Sequence, residues 1–224
     1  MSRRFVVLEI AFFALIAIAA AVLFFDRQIS QEEQASATSA VSSEPATADP
    51  ATLVRFHSPT FGPSNASVTI VEFFDPSCES CRAFHPFVKQ ILAENPNDVR
   101  LVMRYVLFHK GSEEVARLLE TSRKQNLFPQ VLEAVLAAQP EWHDDPQVLK
   151  AWEAAASAGL DVEKARAELG SPAIDAVLKR DMEDAKKIGI RGTPTFYVNA
   201  QPLVEFGPEP LRNLVLSEIK QARN

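Results

Sequence analysis

The stretch Val68-Thr-Ile-Val-Glu-Phe-Phe-Asp-Pro-Ser-Cys78-Glu-Ser-Cys81-Arg-Ala-Phe-His-Pro86 decides the fold of this chain. Its first seven residues, Val68–Phe74, are β-branched or aromatic apart from Glu72 and apolar at both parities, which reads as a strand buried on both faces. From about Cys78 to Ala93 the period changes, with Phe84, Phe87, Val88, Ile91 and Leu92 at helical spacing. Both cysteines of the chain therefore stand where a buried strand gives way to a helix. Cys78 falls at the helix N-terminus, where unpaired N–H groups and the macrodipole favour a thiolate. Cys81 follows one turn later, close enough for one sulfur to attack the other. So small a loop adds little to folding stability, which suits exchange better than cross-linking. Two other uses stay open: a zinc site, which needs about four ligands where only His85 is near, and a pair of inert buried thiols.

Outward from this stretch, Val99–Phe108 reads as a second strand. A long region with helical stripes follows, including Val131, Leu132, Val135 and Leu136, and later Ile174, Val177, Leu178 and Met182. Thr195–Val198 and Leu203–Phe206 flank Asn199–Pro202 and suggest a hairpin, and Leu211, Leu214, Val215 and Ile219 stripe a last helix. The plan is βαβ, an all-helical insertion over about residues 111–189, then ββα. This is an α/β domain with a central mixed sheet flanked by helices.

The segment Glu72 to Pro86 resembles the active-site segment of the DsbA-like branch of the thioredoxin superfamily. Gly192-Thr193-Pro194-Thr195-Phe196 is similar to that family's second motif, whose proline is cis. The resemblance covers roughly residues 52–222. It implies a thioredoxin fold, catalytic Cys78 and Cys81, and a substrate-binding role for Thr193 and Pro194, with the Thr193 backbone beside the Cys78 sulfur. It also implies that Glu72 assists proton transfer at the inner cysteine. A carboxylate inside so apolar a strand is costly to ionise, so its pKa should rise. Glu79 and Ser80 fill the positions between the cysteines, where strongly oxidising members carry Pro-His. The Glu79 charge is expected to oppose a thiolate at Cys78, and Cys78 to be the exposed thiol with Cys81 buried behind it.

The remaining polar residues are read plainly. His85, before the helix-interior Pro86, is expected to be solvated, and His57, His109 and His143 to be scattered, with no ligand spacing or partnered nucleophile. Glu113-Glu114 and Asp144-Asp145 read as solvated helix ends. No phosphate loop or nucleotide fingerprint occurs, so no cofactor is expected.

The whole chain has 224 residues, 47% hydrophobic and 23% charged, with a formal net charge of −6, which argues against nucleic-acid binding. Two cysteines cannot make a disulfide scaffold. Phe5–Phe25 is apolar apart from Glu9, and as a helix it spans ~31 Å, about one hydrocarbon core. Arg3 and Arg4 precede it, which places the rest of the chain outside the cytoplasm. We read residues 1–29 as an uncleaved signal-anchor; a cleaved signal peptide ending at one of the Ala-x-Ala sites within Ala17–Ala21 is the alternative. Ser30–Pro50, with five Ser, five Ala and only Val41 as a larger aliphatic residue, reads as a disordered spacer, leaving 51–224 as the folded domain.

The expected function is thiol–disulfide exchange with protein substrates at the periplasmic face of a bacterial inner membrane, in the oxidising direction, with an external redox partner resetting the pair. A reductase or isomerase is the alternative within that chemistry, and a soft-metal module holding Cu(I) between two thiolates the alternative outside it.

Overall fold

The structure, a computed structural model, describes residues 48–224. The proposed anchor Phe5–Phe25 and nearly all of the spacer lie outside the described residues, and among the described residues no helix is long and apolar enough to cross a membrane.

A five-stranded mixed sheet runs β1-β3-β2-β4-β5, built from β1 (Thr60–Phe61), β2 (Val68–Phe74), β3 (Val99–Tyr105), β4 (Thr195–Val198) and β5 (Gln201–Pro202). β2 lies at the centre, parallel to β3 and antiparallel to β4, with Glu72 opposite Met103 on one side and Phe196 on the other. Strand alternation sorts its side chains into two cores. Ile70 and Phe74 join the larger core beneath α2 (Glu79–Glu94), while Val71 and Phe73 join a smaller one on the other face. Glu72 shares the parity of Ile70 and Phe74, so the strand aims it under α2.

The insertion is all-helical, as expected: α3 (Ser112–Lys124), α4 (Phe128–Ala137), a 3₁₀ turn (Gln139–Glu141), α5 (Leu149–Ser157), α6 (Val162–Glu168) and α7 (Pro172–Ile188). α8 (Pro208–Ala222) closes the fold, burying Leu211, Val215 and Ile219 in the larger core.

Three local expectations change. The second strand stops at Tyr105 rather than Phe108, because beyond it the backbone N–H groups of Phe108 and His109 bond to the Asp75 carboxylate instead of a neighbouring strand. The hairpin turn is only Asn199-Ala200, both at positive φ (47° and 69°), and its second strand is Gln201–Pro202. Val204 and Phe206, read as strand, leave the sheet and are 76% and 56% exposed. A short helix α1 (Pro50–Leu53), capped by the Asp49 side chain, and the edge strand β1 carry too little periodicity to be read.

α1 is held down by an unanticipated feature. Arg104, on β3, is fully buried on the face of Val102 and Val106. A buried guanidinium costs several kcal/mol unless its donors are met. Here Nε donates to Asp181 (2.8 Å), Nη2 to Asp184 (2.7 Å), and Nη1 to the carbonyls of Thr52 and Leu53 (2.7 Å each). Arg55 adds two bonds to Asp184, and Asp181 accepts from the Tyr105 N–H. His57 lies with Nε2 2.7 Å from Asp181 Oδ1.

Candidate active site

β2 ends at Phe74, and the buried loop Asp75-Pro-Ser77 delivers the chain to Cys78 at the N-cap of α2. No side chain caps this helix, so its first N–H groups are available to the sulfur. The backbone N–H groups of Ser80 and Cys81 both help to lower the pKa of Cys78.

The two thiols, both free, differ sharply. The Cys78 pKa falls from 9.0 to about 5. The largest cause is the hydrogen bond from the Cys81 thiol; burial opposes it, and Thr193 and the two backbone N–H groups reinforce it. Cys81 is driven the opposite way, far above the ordinary thiol range, by burial first and then by donating to Cys78. The site thus holds one thiolate and one thiol that keeps its proton. Cys78 is more covered than its expected role suggested, at 6% exposed, because the Thr193 segment lies over it; Cys81 is 0% exposed.

The Thr193-Pro194 peptide bond is cis, as the resemblance implied. It sets the Thr193 carbonyl 3.2 Å from Cys78 Sγ, where the carbonyl accepts a hydrogen bond from the thiol. A carbonyl oxygen cannot stabilise an anion, so this bond belongs to the protonated sulfur; the Thr193 hydroxyl beside it is buried without a hydrogen-bond partner.

Glu72 is 1% exposed, and its Oε2 has no hydrogen-bond partner. Burial first, and then the Cys78 charge, raise its pKa from 4.5 to about 8, so at neutral pH it is a carboxylic acid beneath the cysteine pair. Glu79 and Ser80 are both exposed. The Glu79 carboxylate faces His143, at 3.9 Å, and Ser80 serves the sulfur through its backbone N–H.

His85 is not solvated, as its place before Pro86 had suggested; it is buried against α4, with Nε2 2.8 Å from Glu133. His109 places Nδ1 2.8 Å from Asp75, and Glu114 accepts from the Trp152 indole. Among the described residues no three His, Cys, Asp or Glu side chains lie together as metal ligands.

Two residues of consequence were missed. Asp75, fully buried, accepts from the Ser77 N–H, from both N–H groups of Phe108 and His109, and from the Ser112 hydroxyl, while its own N–H donates to Cys81 Sγ at 3.5 Å. Gln139, also fully buried, donates to the carbonyls of Pro76 (2.7 Å) and Cys78 (3.0 Å) and accepts from Arg82. Together they tie the cysteine loop to the helical insertion. Asp-Pro before the cysteine was a visible turn signal for Asp75; nothing in the sequence marks Gln139, which acts across 61 residues.

The thioredoxin family model matches residues 56–215. The Na(+)/H(+) antiporter NhaA of Herminiimonas arsenicoxydans is 32% identical over 142 residues, which are 63% of this chain and 22% of the antiporter. This chain spans between 21% and 25% of the length of the three antiporters it matches. The thiol:disulfide interchange protein DsbA of Bordetella parapertussis is 26% identical over 151 residues, 66% of this chain and 71% of that one. A thioredoxin-like oxidoreductase from Silicibacter pomeroyi DSS-3 superposes with a TM-score of 0.66 at 28% identity, covering 79% of this chain and 98% of that structure. The chain belongs to the thioredoxin family, on its DsbA-like branch.

Proposed function

We propose that this protein is a thiol:disulfide oxidoreductase that exchanges disulfides with protein substrates through Cys78 and Cys81, in the oxidising direction. The observation that carries the reading is the opposed acidity of the two sulfurs: Cys78 is lowered to about 5, while Cys81 behind it holds its proton.

In the oxidised enzyme a substrate thiolate attacks Cys78. The Cys78–Cys81 bond breaks, its electron pair leaves on Cys81, and a mixed disulfide forms at Cys78. Glu72, protonated at neutral pH beneath the pair, supplies the proton that Cys81 takes up. A second substrate thiolate then attacks the substrate sulfur of the mixed disulfide. Cys78 leaves as a thiolate, the substrate is released as a disulfide, and the two-electron reduced enzyme remains. An external oxidant of the disulfide or quinone class must reset it. A stabilised Cys78 thiolate stabilises the reduced form, and that favours oxidation of substrates. The Thr193 backbone, next to the nucleophile, is placed to pair with an extended substrate segment. A Cu(I) module is disfavoured because Cys81 resists giving up its proton, and metal ligation needs both thiolates.

Phe5–Phe25 and its preceding arginines support a membrane-anchored protein whose domain faces the periplasm. Fractionation tests this: full-length protein in the membrane pellet supports it, and a soluble protein beginning near residue 20 contradicts it.

The experiment for the exchange itself uses Cys81→Ala, which removes the resolving sulfur. Incubated with an oxidised dithiol peptide, it should accumulate a mixed disulfide at Cys78 that wild type does not retain. No adduct, or an equal adduct with Cys78→Ala, would contradict the division of roles.

A further inference from the structure

A groove of about 670 Å³ opens between α7 and the loop after β3, and is of a size that seats side chains rather than solvent alone. Its apolar wall is Phe108, 45% exposed, with Met182 and Ile190. Met182 is fixed there, since its sulfur accepts from the Leu107 N–H at 3.2 Å. The rim is cationic: Lys179, Lys186 and Arg191 are exposed, and among the described residues none of the three forms an ion pair. The one carboxylate on the rim, Glu183, is already 3.5 Å from Arg180. In a chain of net charge −6, three uncompensated cations around one apolar wall stand against the overall balance.

The groove also runs into the redox site along the chain. Gly189, Ile190 and Arg191 form its end, and Thr193, whose carbonyl touches Cys78 Sγ, is two residues beyond Arg191. Two extended residues span at most ~7 Å. A segment paired with the Thr193 backbone therefore passes within ~7 Å of the backbone at Arg191, at the groove's end.

We infer that this groove is a specificity site for protein substrates, seating an extended segment that carries an apolar side chain flanked by Asp or Glu beside its reactive cysteine. This rests on the exchange function proposed above. The apolar residue fits against Phe108, Met182 and Ile190, and the carboxylates meet Lys179, Lys186 and Arg191. The net negative charge of the whole chain works against an acidic segment. Beyond about 8 Å at physiological salt, however, that charge is screened, whereas the rim acts at contact. The local cations therefore prevail.

The test compares two cysteine peptides with the same Phe, one flanked by two Glu and one by two Lys, as thiol substrates of the oxidised full chain. The acidic peptide is expected to react roughly tenfold faster at low salt, within the range of electrostatic steering. The advantage should collapse at ~1 M salt, where the Debye length is ~3 Å. The double charge reversal Lys179→Glu with Lys186→Glu, at two exposed helix positions, should invert the preference. A cysteine-free acidic peptide should shift the Met182 and Ile190 methyl resonances. Equal rates for the two peptides, or a preference that survives both high salt and the double reversal, would overturn the inference. It would also fall if those methyl groups contact the chain's own residues 30–50 and do not respond to peptide. Glutathione exchange by the wild-type chain, which needs no groove, separates this outcome from failure of the exchange function itself.

Discussion

The Cys78 site and the Arg104 network lie on opposite faces of the same central strands and treat buried polar groups in opposite ways. Around Arg104 the charges are met: the guanidinium reaches two carboxylates and two carbonyls, and Asp181 and Asp184 accept from His57, Arg55, Tyr105 and Arg104 itself. Burial opposes ionisation of Asp184, but its hydrogen bonds from Arg55 and Arg104 outweigh that and hold its pKa below the usual carboxylate range. Around Cys78 the satisfaction is left incomplete. Of the four buried side-chain polar atoms without a partner among the described residues, three belong to Glu72, Ser77 and Thr193. A satisfied network fixes geometry, whereas an unsatisfied one holds protonation states ready to change when the sulfur chemistry changes.

The largest effect expected from this contrast is at the nucleophile. Cys78→Ser should abolish exchange with any dithiol peptide, and at pH 5, where the thiolate contributes little to stability, it should leave the urea midpoint of the reduced protein near that of the wild type. Residual turnover above a few per cent would mean that Cys81 can act alone.

Arg104→Met should do the reverse. Removing the guanidinium from this buried network takes its charge and hydrogen bonds from Asp181 and Asp184 and leaves the Thr52 and Leu53 carbonyls without their donor, at a cost of ~3–5 kcal/mol. Urea titration should show that loss, while exchange rates per folded molecule stay near wild type. A rate loss as deep as the stability loss would show that the two faces are not separable.

The pH dependence of the reduced protein sharpens the comparison. The Cys78 pKa is about 5 folded and 9.0 unfolded, so its contribution to stability is full above pH 9 and is lost as pH falls through 5. Glu72 is about 8 folded and 4.5 unfolded, so its contribution is full below pH 4.5 and is lost as pH rises through 8. Each changes stability by ~1.4 kcal/mol per pH unit, with opposite signs, so between pH 5 and 8 they cancel. Glu72→Gln should therefore uncover a rise in reduced-state stability from pH 5 to 8, and Cys78→Ser a fall. Flat profiles in both variants would remove the proposed coupling.

The smallest effect concerns Glu79. It was expected to oppose the Cys78 thiolate, yet it is exposed and turned toward His143. Glu79→His should make the potential less negative by no more than ~30 mV, the equivalent of ~1.4 kcal/mol for two electrons. A glutathione equilibrium measures it, and a larger shift would put the Glu79 charge on the sulfur after all.

What the sequence revealed and what it hid divide along the same line. Local patterns carried the strand into Cys78, the helix after it, and the burial of Glu72, whose neighbours are apolar at both parities. The second motif was legible because its residues are contiguous. Asp75, Gln139 and Arg104 act instead on partners far along the chain, and a lone Gln or Arg in an apolar stretch looks the same whether it ends up clamped or solvated. His85 was misread for that reason: its partner Glu133 arrives on another helix. The hairpin was overextended because Leu203–Phe206 is apolar enough for a strand but leaves the sheet.

The central claim is the unequal ionisation of two neighbouring thiols, and thiolate absorbance of the reduced protein as a function of pH tests it most directly. One equivalent should titrate with a midpoint near 5, vanish in Cys78→Ser, and be followed by no second equivalent up to pH 9. A midpoint in the ordinary range near 8–9, or two thiols rising together, would contradict the account.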